Sequence, residues 1–224
     1  MTTSLRAQTP DVGHYADVNG IRMYYELHGT GNPLVLIHGG GSTINTSFGR
    51  LLPALAKSHR VIAVELQAHG RTSDRNAPES FAQDADDVAE LLRQLNIAKA
   101  DILGFSNGGS TALQMGIRHP DRVNRLIAIS AIYRRDGIPA EFWSFMEKST
   151  FADVPQVLKD AFLRVTSDSV RMRSAFEKDR QRMVDFRDWN ASDLRSIQSP
   201  ALIVGSDQDV VRVEHTLEIS RLLP

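Results

Sequence analysis

The stretch Leu103-Gly104-Phe105-Ser106-Asn107-Gly108-Gly109 constrains this chain most, because it turns an apparent buried strand abruptly into a helix with a serine at the bend. Ala100 to Leu103 is a short apolar run, and Ser110 to Arg118 continues with helical spacing. Gly104 and Gly108 flank the turn at the two positions where a Cβ would clash. Gly108, Ala112 and Gly116 fall four apart and predict a ridge of small residues that lets the helix lie close to a sheet. His119-Pro120 ends it. The pattern is a G-x-S-x-G elbow, with Ser106 the candidate nucleophile.

The flanking sequence supplies the sheet that such an elbow needs. Asn19-Gly20 between His14–Val18 and Ile21–Leu27 predicts a hairpin. Leu34-Val35-Leu36-Ile37 is apolar throughout, as a strand covered on both faces must be, and Val61 to Val64 repeats the pattern after a helix expected over Arg50–Lys57. Ser80 and Gln83 predict a capping box for a helix over Phe81–Leu95, whose Val88, Leu91, Leu92 and Leu95 share a face. Strands at Asp101–Leu103, Leu126–Ser130 and Pro200–Val204, and a last helix over Glu214–Leu223, complete the alternation of a doubly wound, mostly parallel sheet. Residues 1 to 13 read as a loose polar leader.

Between Tyr133 and Ser199 the strand pattern stops. Helices are expected over Glu141–Lys148, Val154–Thr166 and Val170–Met183, and the apolar residues Phe142, Trp143, Phe145, Met146, Phe162 and Phe176 need something to cover. The domain reading is a core of residues 1–132 and 197–224 with a helical cap, or lid, over 133–196.

Composition narrows the function classes. Twenty-six basic against 27 acidic residues give a net charge of −1, so nothing steers the chain toward nucleic acid or an anionic membrane surface. The absence of cysteine removes disulfides, thiolate metal sites and a cysteine nucleophile. The first residues lack a signal-peptide core, no stretch is apolar enough to span a bilayer, and a cytoplasmic address is expected. No His and acidic residues recur at metal-ligand spacing, and no G-x-G-x-x-G fingerprint is present, so neither a metal nor another cofactor is expected.

Taken in order, His38-Gly39-Gly40-Gly41, His69-Gly70-Arg71-Thr72, Gly104-Phe105-Ser106-Asn107-Gly108 and Asp207-Gln208-Asp209 resemble the serine-nucleophile α/β-hydrolase fold family, from Tyr15 onward. The resemblance implies attack by Ser106 on a carbonyl carbon and an oxyanion held by the amides of Asn107 and Gly40, with Gly41 the second candidate. His38, Gly39, Gly41, Phe105, Trp143 and Met146 are then the candidate substrate contacts. The acid that orients the base is expected at Asp207 or Asp209, with Asp209 favoured.

The family's histidine follows one more helix and strand, whereas fifteen residues follow Asp209. His38 and His69 begin glycine loops and are expected to brace them; His14, His28, His59 and His119 sit at element edges; His215 is nearest in sequence to the acid. The expectation is a C-terminally truncated piece of a longer hydrolase, because Ala201 to Val204 would remain an apolar sheet edge and the helix of Ile219, Leu222 and Leu223 would lack its strand. The function expected is hydrolysis of small, fairly apolar carboxylic esters or lactones through an acyl-enzyme, by a monomer or homodimer. The alternatives are C–C bond cleavage, amide hydrolysis or perhydrolysis on the same scaffold, or a silent ligand-binding member.

Overall fold

A computed structural model describes residues 13–223, so all but the last residue of the expected leader lies outside the described residues. Seven strands form one sheet: β1 (Gly13–Val18), β2 (Ile21–His28), β3 (Asn32–Ile37), β4 (His59–Val64), β5 (Ala100–Phe105), β6 (Val123–Ile129) and β7 (Ala201–Val204). Their order across the sheet is β1-β2-β4-β3-β5-β6-β7. The Asn19-Gly20 turn pairs β1 with β2 antiparallel, β2 meets β4 antiparallel, and every later pair is parallel.

The apolar runs behave as two-sided strands. Val35 and Ile37 of β3 join Ile62, Val64 and Ile102 in a core under α3 (Phe81–Gln94) and α4 (Asn107–Arg118). Leu34, Leu36, Val61, Ala63 and Leu103 face the other way, against Ile44 and Phe48. Alternate residues of one strand are thus buried under different layers, which is why the runs show no polar alternation.

Several expectations change in detail. The single helix expected over Arg50–Lys57 is two short ones, α1 (Ile44–Phe48) and α2 (Leu52–Leu55), because the Thr43–Thr46 capping box starts a helix earlier. The box at Ser80 is half made: Ser80 accepts from the Gln83 amide, but the Gln83 side chain turns to Asp87. Between β6 and β7 lie α5 (Ala140–Lys148), α6 (Gln156–Thr166), α7 (Ser169–Val184) and the unforeseen α8 (Ala191–Arg195). The last helix, α9 (Val213–Leu222), has found partners: Ile219 is fully buried, and Leu222 and Leu223 pack on the main core. The outer edge of β7 is unpaired among the described residues, with Leu202 exposed. No described helix is long and apolar enough to cross a membrane.

Candidate active site

The elbow is built from close backbone approaches. A Cβ on Gly104 would stand 1.9 Å from the carbonyl oxygen of Gly108, and one on Gly108 would stand 2.1 Å from that of Ile37. Only glycine lets β5, its helix and β3 meet this closely. Ser106 takes φ 56°, ψ −120°, a conformation that costs a non-glycine residue on the order of 1–3 kcal/mol. Its amide donates to the Ile129 carbonyl at 2.8 Å, which pins the strained turn to the end of β6. Ser106 occupies the N-cap position of α4, yet its hydroxyl makes no cap hydrogen bond. The oxygen is kept off the helix end.

The glycine loop after β3 lies against the elbow: a Cβ on Gly39 would be 3.3 Å from the Ser106 Cβ. The three glycine amides have different uses. Gly39 N–H donates to Ser47 Oγ at 3.3 Å, and Gly41 N–H donates to His69 Nε2 at 3.2 Å. Gly40 N–H donates to no protein acceptor among the described residues. Gly41 is therefore corrected as an oxyanion candidate, since its only N–H is spent inside the loop. The Asn107 amide is the first of α4 and has no acceptor one turn back. Two donors, from Gly40 in the loop after β3 and Asn107 at the start of α4, are thus left without a protein acceptor among the described residues.

His38 braces its loop as expected, and its place among the candidate substrate contacts is corrected. It is fully buried, with Nδ1 on the Gly39 carbonyl at 2.7 Å and Nε2 accepting from the Leu66 amide at 3.0 Å. Burial lowers its pKa to about 3, so the ring is a neutral brace. His69 braces likewise, on Gln67 O and Gly41 N. His215, also driven toward its neutral form by burial, stacks on Tyr133 and accepts from the Tyr133 amide. His28, His59 and His119 bond Glu26, Leu55 O and Asp86, and His14 packs on Tyr25 of the hairpin. None of the seven histidines hydrogen-bonds Ser106 in the described structure.

The two aspartates after β7 differ sharply. Asp209 is half-buried, accepts from the Ser130 hydroxyl and takes the Val211 amide at 3.2 Å. Ser130 directly follows Ile129, the residue whose carbonyl holds the Ser106 amide, so the end of β6 supplies both the acceptor for Ser106 and the donor to Asp209. Asp207 is exposed and bonds the neighbouring Ser206 hydroxyl.

The sequence reading missed the polar contact between the elbow and α7. Asn107 Nδ2 donates to Asp179 Oδ1 at 2.8 Å, and a Cβ on Gly40 would lie 2.3 Å from Asp179 Oδ2. Arg182, one turn further on, bonds Asp84 at 2.9 Å and also Glu79, with all three buried. Burial pushes the Asp84 carboxyl up to about 7 and raises that of Glu79, because one guanidinium serves too many carboxylates. A signal was present: Asp179 and Arg182 fall on the same helical stripe as Met172, Ala175, Phe176 and Met183, and charges on an apolar stripe want buried partners.

Beside Gly40 and Gly41, α5, α6 and α7 enclose a cavity of about 310 Å³ walled by Met146, Phe151, Leu158 and Phe176. Met146 does line it. Phe105 is exposed beside the glycine loop, 3.2 Å from a Cβ on Gly39. Trp143 is corrected: its indole donates to the Arg135 carbonyl at 2.8 Å and its ring is buried with Phe81, Met183 and Phe186, away from this cavity.

Residues 32–223 match the family model for the alpha/beta hydrolase fold. The chain belongs to that family. The 2-hydroxymuconate semialdehyde hydrolase of Pseudomonas sp. (strain CF600) is 37% identical over 127 residues, which is 55% of this chain and 44% of that protein. The chain therefore aligns with less than half the length of that relative. The 2-hydroxy-6-oxo-2,4-heptadienoate hydrolase of Pseudomonas putida is 29% identical over 95% of this chain and 85% of its own. Among solved structures, the enol-lactonase from Burkholderia xenovorans superposes with a TM-score of 0.73 at 24% identity, covering 94% of this chain and 88% of that one. A meta-cleavage product hydrolase from Pseudomonas fluorescens gives 0.76 at 24%, covering 95% and 86%. These two likenesses speak to the fold, and the hydrolase family is where the chain sits.

Proposed function

We propose that the protein is a serine hydrolase of small carboxylic esters or lactones, with Ser106 as nucleophile. The observation that carries the reading is the strained φ of Ser106, which holds a hydroxyl free of the helix cap on the elbow that lies against the glycine loop, where a Cβ on Gly39 would be 3.3 Å from the Ser106 Cβ. Ser106 Oγ adds to the carbonyl carbon, and the N–H groups of Gly40 and Asn107 take the developing oxyanion. Collapse breaks the C–O bond, the leaving oxygen takes the proton given up by Ser106, and the acyl-serine that remains, still bearing that hydroxyl when the substrate is a lactone, is cleaved by water to acid and free enzyme. Asp209 is the acid of the site, and residues 133–196 act as a cap whose cavity beside Gly40 receives the acyl chain.

The imidazole that would stand between Asp209 and Ser106 is supplied by none of the seven histidines as placed. Acylation by this chain is accordingly expected to be slow and to be stimulated by added imidazole. A second reading, C–C bond hydrolysis on the same serine, is favoured by the names of the curated relatives. The test is labelling by a fluorophosphonate, with and without imidazole, followed by rates on nitrophenyl esters and on a hydroxy-oxo-dienoate. Labelling of the wild type and not of Ser106→Ala supports the reading. Equal labelling of both, or none in either, overturns it.

A further inference from the structure

The cavity beside the glycine loop has a charge pattern that says which acyl groups it takes. Its lining carries three carboxylates, Asp153, Glu177 and Asp179, and a single guanidinium, Arg180. That guanidinium is already committed: Nε and Nη2 bond Glu177, and Nη1 donates to the Met146 carbonyl at 3.1 Å. Asp179 is the carboxylate nearest the reacting end, since it holds the Asn107 side chain and packs on Gly40. Behind it Arg182 cannot neutralise it fully, because its two Nη atoms face Glu79 and Asp84 and only its Nε, 3.8 Å away, faces Asp179.

An incoming carboxylate would therefore meet the Asp179 carboxylate in a largely apolar cavity with no open cation among its lining residues, the nearby Lys159 and Arg173 being stacked on the Phe151 ring. At separations of a few ångström and with reduced solvent screening, such a like-charge contact is costly. An uncharged acyl chain meets the aromatic and aliphatic wall without that cost.

We infer that Asp179, seated between the Asn107 side chain and Gly40, makes this cavity select uncharged acyl groups and reject those ending in a carboxylate. The inference rests on the proposed function in placing the acyl group there.

The test is binding by the full chain, which needs no turnover. Calorimetry compares N-phenylpentanamide, which is neutral, with N-phenylsuccinamic acid, which has nearly the same shape and ends in a carboxylate. The neutral ligand is expected to bind about tenfold more tightly, and Asp179→Asn to narrow that gap at least about threefold. Glu177→Gln, at the more exposed rim, folds irrespective of the Asn107 contact and is expected to narrow it less. Equal or tighter binding of the acid, a gap untouched in both variants, or no binding of either ligand overturns the inference. Phosphonate labelling of Ser106 reports separately on the hydrolase reading, so a surviving gap without labelling would sink that reading alone.

Discussion

The two sides of the glycine loop are held by opposite means. On the elbow side the restraints are backbone: glycines that admit carbonyls at distances no Cβ tolerates, and a serine forced to positive φ. On the α7 side they are buried charges, with Asp179, Arg182, Glu79 and Asp84 sharing too few partners. Backbone restraints are stiff and local. Charge restraints can be moved by pH and by single substitutions, so the difference teaches where the site is fixed and where it is adjustable.

The largest effect is expected from Gly104→Ala. Its Cβ would sit 1.9 Å from the Gly108 carbonyl, and that oxygen belongs to backbone that cannot rotate away. A loss of more than about 4 kcal/mol is expected, seen as aggregation or the absence of a cooperative melt. A melt within a few degrees of wild type would show that the elbow is not the rigid side.

Next is Arg182→Met. It leaves Glu79 and Asp84 buried without their cation, and breaking such a pair costs about 3–5 kcal/mol by chemical denaturation. Adding Glu79→Gln and Asp84→Asn to the same chain is expected to recover most of that loss. If the triple variant is no better than the single, the helix is held by packing and the charge side of the comparison fails.

How much of this was legible follows the same division. Gly104, Ser106 and Gly108 could be read from spacing alone, because each requirement is local and glycine meets it in only a few ways. Runs such as Leu34–Ile37 were legible because a two-sided strand has no polar face. His38 was legible as a loop brace but not as a residue shut away from substrate, because its partner Leu66 N lies 28 residues away, and Trp143 was misplaced because its indole turns back to the Arg135 carbonyl. Asp179 escaped notice because its partner Asn107 lies 72 residues away, although its place on an apolar stripe marked it.

The pH profile sharpens the comparison further. Asp84, packed against Arg182, Glu79, Asp87 and His69, has its pKa raised from 3.8 to about 7 chiefly by burial. A carboxyl raised in the folded state binds its proton there while the unfolded chain has lost it, so its contribution is present below about pH 4 and is lost as pH rises through about 7. Stability is expected to fall by roughly 2–4 kcal/mol across that window. Asp84→Asn should flatten the fall without abolishing it, because Glu79 is shifted the same way. Denaturant titrations at pH 5 and 8 measure this, and an unchanged slope in the variant would remove Asp84 from the argument.

The smallest expected effect divides the two aspartates after β7. Ser130→Ala removes the hydroxyl that donates to Asp209 while leaving the Ser130 amide on the Val204 carbonyl. A hydrogen bond to a half-buried carboxylate is worth about 1–2 kcal/mol, so the melt should drop by a few degrees. Asp207→Ala touches an exposed side chain bonded to its neighbour and should stay within about 0.5 kcal/mol of wild type. Because Ser130 follows the residue that anchors the Ser106 amide, its loss should also slow imidazole-stimulated labelling of Ser106, and Asp207→Ala should leave that rate alone. The reverse pattern would hand the acid's place to Asp207, and would mean that the end of β6 does not organise both halves of the site.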